Sequence, residues 1–520
     1  MLPRKSMSDT LTNRSFSALR WGYAGFCLRA AAGFASGIVL ARLLGPKPFG
    51  EVAVASLILG FANQLADGGF SSALVQAPEL ADTDVRFVFT AQLAIGSALT
   101  ICGICAAPLV AALFHDPIIT NVLRASSFLF LIQAFGQTSS AVLKRRLEFR
   151  GLQYAQVTSY VFGYGFVGIV AAWFGGGVWS LIAAQLVQSA TYSAFVYLQL
   201  RHSVLPSFSK RGLHLGRFGV KTTCANLLNW SITNGDNACV GFALGSATLG
   251  LYSRAFDTVN SPASSVVNTW QLVLFAGCSR AGNRGAVRRA YLASLTAVTL
   301  ILLPTLSAVA ICSPTIVATL YGVQWNATAP LLVPLAIAVA VSAAMALAGP
   351  ILSAVDMVEK EIKAQAISLL LAIVAFLVAA RYSAVAVAWS VLAVYIARFV
   401  LVTAPTLRVL DLGWNDVLRV TRGALALACA TSFMAWGTDQ FALRLGIPAV
   451  VRTIMIVPAC FAATWVLLLL VADYLLSSEL VTVLNQGASR LPRWISKRVK
   501  EIEARRVFKR VINEQPVLTI

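Results

Sequence analysis

Charge is scarce in this chain. Only 12% of its 520 residues are Asp, Glu, Lys or Arg, where soluble domains carry about 25%. A soluble globular fold is therefore excluded. Histidine is nearly missing: His115, His202 and His214 are the three in the sequence. They are too scattered for a metal-ligand pattern or a His-based catalytic constellation. Cysteine is present, nine residues from Cys27 to Cys460, but mostly inside apolar segments, where it packs as a small apolar residue. Cys102 and Cys105 form a CxxC without a second pair or a nearby histidine. No metal and no cofactor is expected. Long hydrophilic connections are also lacking, which leaves no room for a soluble catalytic domain.

What remains is hydrophobic: 58% of the residues are apolar. A membrane helix needs about 20 mainly apolar residues. Fourteen such segments follow one another, at 19–42, 49–76, 87–113, 118–142, 153–173, 178–200, 218–244, 250–277, 290–312, 327–353, 363–380, 383–404, 421–442 and 450–472. The expected fold is an all-α integral membrane protein of about 14 transmembrane helices. The N-terminal piece has no short apolar region with a cleavage site, so its first apolar run reads as an uncleaved membrane helix.

The net charge is +20. In a soluble protein that balance points to nucleic acid. Here the basic residues sit in clusters between apolar runs, and no nucleic-acid partner is expected. Lys144, Arg145, Arg146 and Arg150 form one cluster; Arg201, Lys210, Arg211 and Arg217 form the next. Later clusters hold Arg280, Arg284, Arg288 and Arg289, then Arg408, Arg419 and Arg422. The alternate connections 175–177, 245–250 and 313–329 carry no charge. The positive-inside rule puts both termini in the cytoplasm. The tail adds Trp494, Ile495, Val499 and Ile502 at helical spacing among basic residues. That pattern suits anionic inner-leaflet lipids.

One stretch recurs. LARLLGPKPFGEVA at Leu40–Ala53 and VGFALGSATLGLYS at Val240–Ser253 share Leu44/Leu244, Gly45/Gly245 and Gly50/Gly250. Each reads as a helix stopped by a glycine and a second helix started at once. The offset of 200 residues divides the chain into two six-helix halves that run the same way across the membrane, as parallel repeats do. The predicted organisation is a cytoplasmic segment 1–18, a first lobe 19–200, a basic linker 201–217, a second lobe 218–404, two additional helices within 421–472 and a basic amphipathic tail 473–520.

Charges at membrane depth cost roughly 2.5–3.5 kcal/mol each, so they face a wet cavity or a partner. Arg29 lies mid-way along the first segment and Asp67 on the second. Asp236 lies on the seventh, among Asn226, Asn229, Asn234 and Asn237, and Arg254 and Asp257 open the eighth. Arg29, Asn229, Asn234, Asp236 and Arg254 are the candidate substrate-binding residues of a central hydrophilic cavity. Asp67, Asp236 and Asp257 are the candidates for ion coupling. The alternatives are a snorkelling Arg254 at the outer surface and a purely structural Asp236.

The stretch Leu40–Gln76 resembles the Wzx-type polysaccharide flippases, as do FHDP at Phe114–Pro117, KRRLEFR at Lys144–Arg150 and GDNACVGFALGSATLGLYSRAF at Gly235–Phe256. The resemblance covers most of residues 15–410 and fades in the last two segments and the tail. That family shares a superfamily with multidrug MATE transporters and the lipid II flippase. It implies a MATE-like bundle of two pseudo-symmetric lobes plus two helices in a bacterial inner membrane. It also implies an undecaprenyl-pyrophosphate-linked oligosaccharide as substrate, moved by alternating access for exopolysaccharide, capsule or O-antigen synthesis. Polymerase and chain-length machinery are the implied partners. The alternative is a MATE-like, cation-coupled drug antiporter, which needs a coupling acid such as Asp67 or Asp236. A membrane enzyme fits poorly, because the outer loops are short and almost without charge.

Overall fold

The computed structural model describes residues 28–66, 80–146, 148–207, 213–280, 284–354 and 358–475, together with 25, 70, 71 and 74. Among them there is no β-strand. Helix α1 covers residues 28–44, α2 Pro46–Ala66, α3 Asp82–Leu113 and α4 Ile118–Arg145. Then come α5 Phe149–Trp173, α6 Val178–Leu200, α7 Leu213–Leu244 and α8 Ser246–Arg280. Next follow α9 Arg284–Ile311, a short helix Ser313–Leu320 and α10 Val323–Leu352, whose first turn is 3-10. The described chain ends with α11 Val358–Ala380, α12 Ala384–Val409, α13 Trp414–Arg444 and α14 Ala449–Leu475.

Among the described residues, nine helices are long and apolar enough to cross a membrane: α3 to α6, α9, α10, the 363–380 part of α11, α12 and α13. The chain is a multi-pass membrane protein. The tail 473–520, with its amphipathic stretch, falls outside the described residues beyond Leu475, and so do residues 1–18 and Asp67.

Residue contacts divide the chain into two compact units. The first holds residues 1–254, 320–327 and 372–387; the second holds 255–319, 328–371 and 388–520. In lipid, apolar burial does little to draw helices together, so close packing relies on small residues and interhelical hydrogen bonds. In the first unit, α3 and α4 pack in this way. A Cβ on Gly96 would lie 2.9 Å from the carbonyl oxygen of Phe130. Thr100, one turn on, donates to the carbonyl of Ser127 at 3.1 Å. Helix α5 contains a π-helical segment, Val161–Gly168, a feature with no counterpart in the sequence reading. Gly163 in this segment lets α5 close on α6, because a Cβ there would sit 2.6 Å from the Ala184 carbonyl oxygen.

In the second unit, α9 packs along α13 and against α10, and α13 packs along α14. Two of its buried polar groups are paired across helices. Asp439 of α13 is buried, forms an ion pair with Arg452 of α14 at 3.2 Å and accepts a hydrogen bond from Thr315 at 2.8 Å. Arg398 of α12, also buried, donates to Gln365 Oε1 at 2.5 Å. Breaking a buried pair by removing one partner costs about 3–5 kcal/mol. The last two helices are therefore joined by more than apolar contact.

Candidate functional site

The two glycine turns form one corner. Gly45 has φ +72° and Gly245 φ +84°, a left-handed conformation that glycine adopts without a Cβ clash. Each donates its N–H four residues back, Gly45 to Ala41 at 3.3 Å and Gly245 to Gly241 at 3.2 Å. The turns then pack on each other reciprocally. A Cβ on Gly50 would run into the carbonyl of Ser246, and a Cβ on Gly250 would run into the carbonyl of Pro46. Under the 200-residue offset Pro46 and Ser246 are themselves equivalents, so the contact maps onto itself.

FHDP joins the same corner. Ser246 donates to Asp116 Oδ2 at 2.8 Å, and the ring of Phe114 lies where a Cβ on Gly241 would be, 2.8 Å from its Cε1. The uncharged connection around Trp325 closes the corner. Trp325 Nε1 donates to the Ala41 carbonyl at 2.9 Å, Gln324 donates to Ala41 and Arg42 carbonyls at 3.1 Å, and Arg42 donates to the Leu320 carbonyl at 2.9 Å.

Arg254 sits under this lid. Its guanidinium donates to the carbonyl of Gly37 on α1 and lies 4.6 Å from the ring centre of Phe49 and 5.2 Å from that of Tyr321. Phe49 in turn meets Trp325 edge to face at 5.6 Å. Arg254 is half-buried and held by the aromatic faces, a favourable setting for a guanidinium. A freely snorkelling side chain would show neither contact.

Asp236 on α7 has a different environment. It is buried and accepts from Tyr252 OH at 2.8 Å and from Asn237 Nδ2 at 3.3 Å. Asn234 is engaged along its own helix, donating to the Trp230 carbonyl at 3.0 Å and to Thr233 Oγ1 at 3.2 Å. Asn229, a turn earlier, is exposed, and Arg29 on α1 is half-buried. Asp257 is exposed on α8. Arg254 thus joins the corner, while Asp236 ties α7 to α8 through Tyr252; Arg29 and Asn229 lie further along α1 and α7.

A second polar region escaped the sequence reading. A cavity of about 540 Å³ lies within the first unit. Helix α4 supplies Gln133, Gln137, Ser140 and Lys144; α6 supplies Gln185, Gln188, Ser189, Tyr192 and Ser193. Ser71 also lines it. The signal was present, because 133, 137, 140 and 144 mark one face of a helix at 3.6-residue spacing. Amides and hydroxyls carry no formal charge, so a search for intramembrane ions passes over them.

Residues 39–330 match the family described as "Polysaccharide biosynthesis protein". The chain is 29% identical over 297 residues to the succinoglycan biosynthesis transport protein ExoT of Rhizobium meliloti (strain 1021), covering 56% of this chain and 60% of that protein. It is 22% identical over 332 residues to the lipopolysaccharide biosynthesis protein WzxC of Escherichia coli (strain K12), covering 62% of this chain and 66% of that protein. The matches therefore span 60% and 66% of these relatives' own length. Among solved structures, the lipid II flippase MurJ in an inward closed conformation superposes with a TM-score of 0.65 at 11% identity, over 86% of this chain and 98% of that one. At that identity the likeness is one of fold.

Proposed function

We propose that this chain, which belongs to the polysaccharide biosynthesis protein family, is a flippase for lipid-linked oligosaccharide. In this reading it moves undecaprenyl-pyrophosphate-linked repeat units across a bacterial inner membrane by alternating access, with both termini in the cytoplasm. The observation that carries the reading is the contrast between the two ionisable groups of the second turn. Arg254 is half-buried between two rings, a charge suited to the pyrophosphate of a headgroup. Asp236, an acid on which a cation antiporter could rely, is buried and bonded to Tyr252 and Asn237.

Arg29, Asn229 and Asn234 are assigned to the path of the sugar, and Asp67 and Asp257 are the remaining candidates for ion coupling. The two lobes 19–200 and 218–404 supply the halves that alternate. Anionic inner-leaflet lipids are assigned to the basic tail. Polymerase and chain-length machinery are the partners that would receive the exported unit.

The test is a strain without this protein. Lipid-linked glycan should accumulate in the inner leaflet, and wild-type chain should restore surface polysaccharide. Arg254→Ala and Arg29→Ala should insert normally and restore less than about a tenth of it, as expected when a charge-assisted contact made during transport is lost. A change in drug tolerance with polysaccharide unaltered would instead establish the antiporter.

A further inference from the structure

We infer that the amide-lined cavity of α4 and α6 is a glycan subsite, which recognises the hydroxyl-rich, uncharged part of the headgroup. The inference rests on the flippase reading and adds a location and a recognition chemistry to it.

Among the described residues, the side chains of Gln133, Gln137, Gln185 and Gln188 make no hydrogen bond to protein, although all four line the cavity. A carboxamide offers two donors and an acceptor with two lone pairs. Four of them left open within a helical membrane bundle are costly unless something polar fills the space. The corner differs here, since the Asp236 carboxylate and the Asn234 amide already have protein partners.

Among the described residues no carboxylate lines the cavity, and Lys144 is the one ion. The described lining therefore offers organic cations no counter-charge. A sugar, with adjacent hydroxyls that both donate and accept, matches paired amides and serines. Lys144 is exposed in the last turn of α4, beside Arg145, where it admits anionic substituents.

The volume lies within the roughly 300–1,000 Å³ of small-ligand pockets. From Gln133 to Lys144 the lining runs about 16 Å along α4, from the rise of 1.5 Å per residue. That is about half of a hydrocarbon core roughly 30 Å thick. The walls are held tightly. A Cβ on Gly136 would lie 2.9 Å from Ser193 Cα, and Gly163 presses the π segment of α5 against Ala184 and Gln188. Ser193 donates to the Ile132 carbonyl at 2.8 Å, and Ser140 and Tyr192 hydroxyls bond at 3.1 Å. The helices are therefore fixed by their other contacts, leaving the amides free to meet a ligand.

The experiment measures binding by the full chain in lipid nanodiscs. One probe is the lipid-linked glycan extracted from cells lacking this protein; the other is undecaprenyl pyrophosphate without sugar. Wild type should prefer the first by at least about tenfold, because a site that bonds hydroxyls rejects an analogue lacking them. The pairs Gln133→Leu/Gln137→Leu and Gln185→Leu/Gln188→Leu should each erase that preference and leave binding of the sugarless lipid unchanged. Gln188→Glu, which keeps the size and the acceptor but loses the two amide donors, should lower the preference by less than either leucine pair, which guards against a packing effect.

If the variants keep the full preference, the cavity holds solvent alone and the subsite is overturned while the flippase reading stands. Equal wild-type affinity for the two probes also overturns the subsite. So does a parallel loss of both affinities in every variant, which would make the lining structural. If wild type binds neither probe, the flippase reading falls as well.

Discussion

The corner and the cavity are both polar, both inside the first unit and both built where helices approach closely, yet they use polarity in opposite ways. At the corner nearly every polar atom has a protein partner: Ser246 on Asp116, Tyr252 on Asp236, Trp325 on the Ala41 carbonyl. In the cavity four carboxamides have none among the described residues. Satisfied polar groups fix geometry, and open ones remain able to pair with water or a ligand. The difference separates an internally bonded corner, where Arg254 is the group proposed to meet the pyrophosphate, from an open amide lining proposed to meet the sugar.

That separation can be broken by mutation, and the largest effect belongs to the corner. Gly50→Leu drives a side chain into the Ser246 carbonyl, where backbone cannot yield as a flexible side chain would. A cost of about 3 kcal/mol or more is expected, read as loss of monodisperse protein on extraction and a lowered unfolding temperature. Tyr252→Phe comes next. It removes one donor from a buried carboxylate and should cost about 1–3 kcal/mol, visible as a smaller fall in the same temperature. The least stability change is expected for Gln137→Leu with Gln188→Leu, within about 0.5 kcal/mol, although transport should drop sharply. A loss of stability there as large as that of Tyr252→Phe would erase the distinction.

The same contrast explains what the sequence made legible. Helix stops are local chemistry, so Gly45 and Gly245 announced the turns, and the equal spacing of Gly50 and Gly250 announced the repeat. Long apolar runs announced the spans. The lid over Arg254 was not legible, because Trp325 reaches Ala41 across 284 positions with nothing local to mark it. The sequence left Arg254 open between snorkelling and a cavity role; Phe49, Tyr321 and the Gly37 carbonyl now hold it. Asp439 and Arg452 were passed over because each lies in a segment that is apolar on average, and their pairing depends on how α13 and α14 meet. The glutamines were passed over for a related reason: their periodicity is clear once the helix faces are drawn, but neutral residues do not signal expense in a membrane as ions do.

The reciprocal contact of the two turns has a consequence for symmetry. Gly50 meets Ser246 and Gly250 meets Pro46, so a single half-length chain bears both partners of the contact. Two copies of such a chain would close it as a two-fold homodimer does. The corner thus has the self-complementary form of a two-fold dimer interface. Its two glycines are under one shared constraint: neither turn can gain a side chain unless the other retreats, and related chains should vary at these positions jointly rather than one at a time.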